Sequence, residues 1–288
     1  MTRIGVIGLG IMGSAMSGNL LKAGFAVQGY DIAAKCRAAL KRAGGRPVNS
    51  ISRLTAPVVI TSLPSAAALH SVCEKLSGKG RIVVETSTLP IEEKEKARQA
   101  LKRKGITLLD CPLSGTGAQA RVKDLVVYAS GDRAAFQKAK SILPGFSRAH
   151  YYLGAFGNGS KMKFVANLMV AIHNVSAAEA FVLGMKAGLP ATKIYEVAGD
   201  GAGTSRMFQV RGPQMVRGRY GEATMKVEVW QKDMKIIGDF AAALGAPTPL
   251  FNASATVYNA AMALGHAKND TAAVCAVLER MGAVRRRR

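Results

Sequence analysis

The stretch of sequence that decides the fold is Arg3-Ile4-Gly5-Val6-Ile7-Gly8-Leu9-Gly10-Ile11-Met12-Gly13. Its first half is a short apolar run that predicts a buried strand, and a helical pattern follows. In such a unit Gly8 permits a tight turn, Gly10 lets the backbone approach a pyrophosphate, and Gly13 allows close helix–strand packing. Free N–H groups at the helix start would face the phosphate charge. We therefore expect a dinucleotide site contacted by Gly8, Gly10, Ile11, Met12 and Gly13.

Asp31 stands at the end of the second predicted strand, where a carboxylate can accept hydrogen bonds from the adenosine ribose hydroxyls. The same charge would repel a 2′-phosphate, because like charges about 4 Å apart at an effective dielectric near 20 cost roughly 4 kcal/mol. The residue therefore favours NAD over NADP, although Lys35 and Arg37 are nearby cations that would favour NADP. Asp31 also has a second interpretation, as the cap of the next helix.

The first half of the chain alternates short apolar strands with helical patterns. The predicted strands span residues 3–8, 26–30, 58–61, 81–85, 107–111 and 125–130, and the predicted helices span 12–23, 33–43, 66–76 and 91–103. This alternation predicts an α/β fold with a doubly wound parallel sheet of the Rossmann type. After about Gly157 helical patterns continue to the end. We expect a dinucleotide-binding domain over residues 1–158 and an all-helical substrate and oligomerisation domain over 159–288.

Composition and charge exclude several classes of protein. Of the 288 residues, 49% are hydrophobic and 20% are charged, which predicts a folded chain. No stretch approaches about 18 uninterrupted apolar residues, and no signal-peptide pattern opens the chain, so we expect a cytoplasmic protein without a membrane span. The scattered cysteines and histidines predict no metal site. The net charge of +22 attracts anions, but a solvated helix face and a basic tail at residues 285–288 produce such an excess without a ligand.

Two further motifs carry candidate chemistry. Ser114-Gly115-Thr116-Gly117 follows a late strand, where a hydroxyl beside exposed backbone N–H groups suits a carboxylate, although such residues also form ordinary turns. Lys163 and Asn167 lie four residues apart after Gly157 and Gly159, so they share one helix face. An ammonium and an amide presented together can grip and protonate one oxygen atom. The alternative is an exposed lysine and a helix-interior asparagine with no shared role.

Taken in order, these motifs resemble those of the β-hydroxyacid dehydrogenases, the family of 3-hydroxyisobutyrate dehydrogenase and tartronate semialdehyde reductase. The resemblance covers essentially the whole chain and is carried by residues 8–24, 85–88, 110–117, 157–167, 232–234 and 265–270. It implies an oxidoreductase that transfers a hydride between NAD or NADP and a short β-hydroxyacid or its semialdehyde. In this resemblance Lys163 is the catalytic acid and base, Asn167 assists it, and Ser114, Gly115 and Thr116 grip the substrate.

On the cofactor side, the resemblance implies that Leu63 and Thr88 contact the nicotinamide half and that Lys232 lies near cofactor and substrate. It further implies an active site between the two domains, a small anionic carboxylate as substrate, and a homodimer or homotetramer. Thr116 replaces a family glycine, and residues 119–123 are bulkier and more basic than the family pattern, so a sugar acid of the threonate type stays an alternative substrate. There are two alternative functions. One is imine reduction, which the presence of Lys163 disfavours, and the other is a basic nucleic-acid-binding scaffold.

Overall fold

The computed structural model describes residues 2–284 and Arg286, and it divides into two compact units between Lys163 and Phe164. The division falls inside a long helix that spans residues 158–186. Met1, Arg285, Arg287 and Arg288 lie outside the described residues, and with them most of the basic tail.

The first unit begins with alternating strands and helices. In chain order they are β1 (Arg3–Ile7), α1 (Ile11–Lys22), β2 (Ala26–Tyr30), α2 (Ala34–Arg42), β3 (Arg46–Pro47), β4 (Val58–Thr61), α3 (Ala66–Lys75), β5 (Ile82–Glu85), α4 (Ile91–Arg103) and β6 (Thr107–Asp110). Neighbouring strands pair in parallel in the order β3-β2-β1-β4-β5-β6. This order is that of a dinucleotide-binding α/β sheet, so the predicted Rossmann-type domain is confirmed.

Apolar residues cover both faces of this sheet. In β1, Ile4 and Val6 join a buried cluster that includes Met16 of α1, whereas Ile7 joins a separate cluster with Leu69 of α3. Successive residues of a strand point to opposite faces, so one short strand supplies both clusters. Burial on both faces explains why these strands read as continuous apolar runs instead of alternating patterns.

A smaller sheet follows in the same unit. It consists of β7 (Leu113–Ser114), β8 (Val126–Ala129) and β9 (Ala149–Tyr152), with β7 antiparallel and β9 parallel to β8. The short helices α5 (Gly117–Arg121) and α6 (Arg133–Ala139) lie between its strands in the sequence. The strand expected at residues 125–130 therefore belongs to this sheet and not to the main one.

The second unit is built from helices, as the sequence predicts. The helix α7 (Asn158–Lys186) crosses the division and is followed by α8 (Ala191–Asp200), α9 (Arg206–Arg217), α10 (Val227–Ala243), α11 (Pro249–Ala263) and α12 (Val274–Met281). Aromatic pairs join them: the rings of Phe181 and Phe208 stack with centroids 5.4 Å apart, and Trp230 faces Tyr258 at 6.1 Å. Arg286 donates hydrogen bonds to the carbonyl oxygens of Val216 and Met215 and pairs with Glu279, so this residue of the expected tail is packed.

Within the described part of the chain, α7 is one helix that is long and apolar enough to cross a membrane, with a mean hydropathy of 1.5 over its best window. Core helices of water-soluble proteins meet the same criteria, so this is weak evidence for a span. Polar residues interrupt the apolar sequence of this helix. Asn174 is fully buried and donates hydrogen bonds to the Tyr258 hydroxyl at 3.0 Å and to the Thr271 carbonyl oxygen at 2.8 Å, which is the packing of a core helix.

Candidate active site

The glycine turn joins β1 to α1, and its glycines serve different purposes. Gly8 adopts a φ of +88°, and a Cβ there would lie 2.1 Å from the Ser62 carbonyl oxygen. A Cβ on Gly13 would lie 1.8 Å from the Gly8 carbonyl oxygen. Both positions therefore need glycine for the turn itself. A Cβ on Gly10 would meet no atom of the described residues within 4 Å, so its small size leaves open space beside the turn.

The start of α1 suits an anion. Gly10 is the N-cap of α1, so no side chain caps the N–H groups of the first turn. All residues of α1 are described, and its first turn contains no acidic residue. Uncapped N–H groups at the positive end of a helix bind phosphate. The turn at Ile11, Met12 and Gly13 and the open space beside Gly10 together fit the pyrophosphate of a dinucleotide.

Asp31 fastens the end of β2 to this turn. Its Oδ2 accepts a hydrogen bond from the Leu9 N–H at 2.7 Å, and its Oδ1 accepts one from the Ala33 N–H at 2.8 Å. The N-cap of α2 is Ala33, so Asp31 is not the helix cap that the sequence allowed. An ionised carboxylate has about four acceptor positions, which leaves capacity for ribose hydroxyls. The Arg37 guanidinium donates to the Asp31 carbonyl oxygen at 2.6 Å and so is engaged with the backbone.

The predicted nicotinamide contacts follow β4 and β5, at the same edge of the sheet as the glycine turn. The Leu63 N–H donates to the Ser87 hydroxyl at 2.8 Å, and the Ser87 N–H donates to Oε1 of Glu85 at 2.9 Å. Thr88 follows directly and is half-buried. Leu63 and Thr88 therefore lie on two segments that a hydrogen bond joins, at the carboxyl ends of neighbouring parallel strands, where ligands bind in such sheets.

The predicted substrate segment ends β7 and opens α5. Ser114 is half-buried, and Gly115 adopts a φ of +129°, where a Cβ would lie 2.6 Å from Cδ2 of Leu125. Thr116 is the N-cap of α5, and its N–H donates to Oε1 of Gln119 at 2.9 Å in a capping box. The residue that departs from the family pattern thus has a local structural role, because it begins the helix that follows the segment.

The substrate segment, which contains Ser114, Gly115 and Thr116, packs against α1. A Cβ on Gly117 would lie 2.4 Å from the Ile11 side chain, and the buried Asn19 amide of α1 donates to the Ala120 carbonyl oxygen at 2.7 Å. These contacts place the substrate segment beside the glycine turn. Sequence reasoning assigned no role to Asn19, although a polar residue on the buried face of an apolar helix is a signal of such a bond. Arg121 and Lys123 are exposed, so a solvated role fits both.

The start of α7 is seated on the ends of β6 and β8. Gly157 adopts a φ of +91°, and a Cβ on Gly159 would lie 2.3 Å from the Tyr128 carbonyl oxygen. The Gly159 N–H donates to the Ser130 hydroxyl at 2.9 Å, and the Ser160 N–H donates to Oδ2 of Asp110 at 2.8 Å. First-turn N–H groups have no partner within their own helix, so these contacts anchor it. The close approach to the strand ends explains Gly159, and the positive φ explains Gly157.

Lys163 follows on the second turn of α7 and is only 9% exposed, which excludes the interpretation of a freely solvated lysine. Asn167 lies one turn later and is 4% exposed. Its Nδ2 donates to Oδ2 of Asp233 at 3.0 Å, and the Lys232 ammonium lies 3.5 Å from Oδ1 of the same carboxylate. Asp233 therefore fixes the amide that the sequence predicts to assist catalysis. Sequence reasoning gave Asp233 no role, and its adjacency to Lys232 was the available signal.

A cluster of metal ligands or the thiol beside the substrate segment would be other candidate chemistry in the described residues. Among residues 2–284 and Arg286, no group of three or more His, Cys, Asp or Glu side chains could hold a metal ion. Cys111, next to the substrate segment, is 1% exposed, and burial raises the pKa of its thiol well above the usual range. Burial likewise raises the pKa of Cys73 to about 11. Such thiols are core residues and not nucleophiles.

Two family models match the chain. Residues 3–154 match the family model described as the NAD binding domain of 6-phosphogluconate dehydrogenase, and residues 157–278 match that described as the NAD-binding of NADP-dependent 3-hydroxyisobutyrate dehydrogenase. Two family models thus account for nearly the whole chain in sequence order.

Individual relatives match over the same extent. L-threonate dehydrogenase of Cupriavidus necator is 32% identical over 94% of each chain, and glyoxylate/succinic semialdehyde reductase 1 of Arabidopsis thaliana is 32% identical over 94% of this chain and 96% of its own. The crystal structure of 3-hydroxyisobutyrate dehydrogenase from Salmonella typhimurium superposes with a TM-score of 0.87 at 28% identity, over 96% of this chain and 100% of the other.

Proposed function

Because this chain belongs to the β-hydroxyacid dehydrogenase family, an NAD(P)-dependent oxidoreductase family of short hydroxyacids and their semialdehydes, we propose that Lys163 is its catalytic acid and base. The observation that carries the proposal is that the Lys163 residue is buried one helical turn before an amide that Asp233 holds in place. Solubility does not explain a buried lysine on a helix that is anchored to the nucleotide domain, since lysines are almost never fully buried unless they are paired.

Bound NAD or NADP supplies or accepts the hydride, and the residues of this chain handle the proton and the orientation of the substrate. In reduction the Lys163 ammonium delivers a proton to the carbonyl oxygen of the semialdehyde. In oxidation its amine accepts the proton of the hydroxyl group. Asn167 holds the reacting oxygen beside Lys163, since residues four apart share one helix face. Ser114 and the backbone N–H groups that follow it bind the substrate carboxylate.

The proposed class of substrate follows from the segment that contains Ser114 and Thr116. We propose short hydroxyacids of the 3-hydroxyisobutyrate kind, with a sugar acid of the threonate kind as the second candidate. Thr116 and the polar helix α5 that it caps favour the second candidate, as does the similarity to an L-threonate dehydrogenase. The deciding experiment is a panel of branched β-hydroxyacids and sugar acids, each with NAD and with NADP, in which the absorbance of the reduced cofactor is followed.

Imine reduction and nucleic-acid binding predict different measurements. Imine reduction on this scaffold would leave Lys163 without a role, so turnover of cyclic imines but of no hydroxyacid would favour it. A nucleic-acid-binding scaffold would show binding that falls steeply with salt and no nicotinamide turnover. The substrate panel and a salt titration with duplex DNA therefore separate both functions from hydroxyacid oxidation.

We propose NAD as the preferred cofactor and expect Asp31→Asn to shift the preference toward NADP by at least about tenfold. The substitution removes the charge that would repel a 2′-phosphate, worth up to roughly 4 kcal/mol at an effective dielectric near 20. The ratio of the two dissociation constants, measured by fluorescence of the reduced cofactors, checks this. Asp132→Asn is the matched control, because Asp132 caps α6 in the same unit through the Ala135 N–H. An unchanged ratio in Asp31→Asn would contradict the ribose assignment.

We propose that the protein is a homodimer or homotetramer that associates through α7. Met162, Val165 and Met169 are spaced three and four residues apart and are 40%, 54% and 49% exposed, and an apolar stripe of this kind typically marks an interface. Light scattering after size exclusion should give at least a dimer mass. We expect Met169→Glu to lower that mass, whereas Val122→Glu, at an exposed position elsewhere, should not. A monomeric wild-type protein would contradict the proposal.

We also propose a cytoplasmic location. Cys36, Cys73, Cys111 and Cys275 are all free thiols. Free thiols in a folded chain are typical of a reducing compartment.

A further inference from the structure

Lys94 is a fully buried ammonium that no part of the proposed reaction uses. It lies on α4, and its Nζ is 2.7 Å from Oε2 of Glu85 and 2.8 Å from Oδ1 of Asp110, with all three side chains 0% exposed. Glu85 ends β5 and Asp110 ends β6, so the ammonium joins the carboxyl ends of two neighbouring parallel strands. These are the strand ends from which the predicted nicotinamide and substrate segments continue.

One branch of this network reaches the helix of Lys163. Asp110 accepts the Ser160 N–H on Oδ2 and the Ser160 hydroxyl on Oδ1, both at 2.8 Å. It also accepts the Ser130 hydroxyl at 3.2 Å, and that hydroxyl accepts the Gly159 N–H. The first turn of α7 is therefore held by the carboxylate that Lys94 pairs with, three residues before Lys163.

The second branch reaches the nicotinamide side. Glu85 uses Oε2 for Lys94 and Oε1 to accept the Ser87 N–H at 2.9 Å. The Ser87 hydroxyl in turn accepts the Leu63 N–H at 2.8 Å. A single cation thus connects the loop that carries Leu63 with the helix that carries Lys163, and every contact lies within the first unit.

Three ionisable side chains in contact are unusual in the core of a protein. Removing charges from water is costly, and buried ion pairs are often no more stabilising than apolar residues of the same volume. Burial alone would lower the pKa of Lys94, but the charges of Asp110 and Glu85 outweigh it and raise that pKa, so the lysine stays ionised. A lysine held at short distances from two carboxylates fixes directions and distances in a way that an apolar contact does not.

We propose that Lys94 is a positioning residue: through Asp110 and Glu85 it holds the first turn of α7 and the Leu63 segment in the arrangement that hydride and proton transfer require. The proposal rests on the proposed catalytic role of Lys163. Misplacement of a reacting group by about 1 Å can cost two orders of magnitude in rate, so a network of this kind is expected to affect turnover.

The test is placed at the edge of the network, because replacing Lys94 itself would leave two buried carboxylates without a cation. Ser160→Ala removes one hydrogen bond to Asp110 and leaves the ion pairs intact. We expect kcat per folded enzyme to fall about tenfold with an unchanged KM for the cofactor, and Ser160→Thr to restore it. Ser87→Ala, on the other branch, should raise the cofactor KM more than it lowers kcat.

The control is Ser147→Ala. Ser147 is a buried serine of the same unit whose hydroxyl donates to the Leu143 carbonyl oxygen at 2.8 Å, away from the network. It should lower the melting temperature as Ser160→Ala does, with kcat unchanged. Equal melting temperatures and an unchanged kcat in Ser160→Ala would reduce the network to a structural role and overturn the proposal.

A double variant separates this proposal from the assignment of Lys163. If Ser160 acts through Lys163, then Ser160→Ala should add no further loss in the Lys163→Ala background. A full additional tenfold loss there would overturn the positioning role. Normal turnover of Lys163→Ala alone would overturn the proposed function instead. Impaired Lys163→Ala together with an unaffected Ser160→Ala would overturn only the role of Lys94.

Discussion

Replacing Lys163 with alanine is expected to lower kcat at least about a hundredfold and to leave the dissociation constant of the cofactor nearly unchanged. General acid and base catalysis contributes about two to four orders of magnitude, and alanine can neither deliver nor accept the proton. Cofactor affinity should persist, because the glycine turn and Asp31 belong to other elements of the first unit. Steady-state turnover and a fluorescence titration of the reduced cofactor measure the two quantities separately.

Lys161→Ala is the matched control for this variant. Lys161 lies on the same helix two residues earlier, is exposed, and donates to Oδ1 of Asn158 at 3.3 Å. It should lose the same charge without losing turnover. If Lys163→Ala kept near-normal turnover, or if both variants lost it equally, Lys163 would not be the catalytic acid and base.

Gly10→Ala is expected to weaken cofactor binding at least about a hundredfold while the protein stays folded. In the structure an added Cβ at Gly10 meets no described atom within 4 Å, so the fold has room for it. The same Cβ would occupy the space that the pyrophosphate needs beside the N–H groups of α1. Calorimetry with NAD measures the loss of affinity, and circular dichroism measures whether the fold persists.

Gly18→Ala gives the comparison for this substitution. Gly18 lies in the middle of α1, and a Cβ there also meets no described atom within 4 Å. Alanine at that position should raise stability by about 0.5–1 kcal/mol, because glycine is unfavourable inside a helix. Its affinity for NAD should match that of the wild type. Unchanged affinity in Gly10→Ala would show that no ligand approaches this turn.

The nucleotide domain could be predicted because its signals are local. The apolar run of β1, the three glycines and the apolar runs that follow each reflect a requirement of a few neighbouring residues, and the parallel sheet then follows from the alternation of strands and helices. The strands that the sequence did not predict have no such local signal. β3 is only Arg46–Pro47, and β9 is a half-exposed strand whose pairing depends on β8, more than twenty residues earlier.

The residues of the candidate site likewise differ in whether the sequence alone reveals them. Lys163 and Asn167 could be identified from their spacing and the family resemblance. Asp233, Asn19 and the cluster around Lys94 could not, because each depends on hydrogen bonds between residues far apart in the sequence. Lys94 sits in a run of charged residues that predicts a solvated helix face, and only the packing of α4 on β6 shows that this one lysine is buried.

The burial of Trp230 gives a way to observe the helical half of the chain separately. It is the single tryptophan of the sequence, it is 3% exposed, and it lies on α10. Its emission in a denaturant titration reports the loss of structure of residues 164–288, whereas circular dichroism reports both halves. Coincident midpoints would mean that the halves melt as one cooperative block, and separate midpoints that each has its own free energy of unfolding.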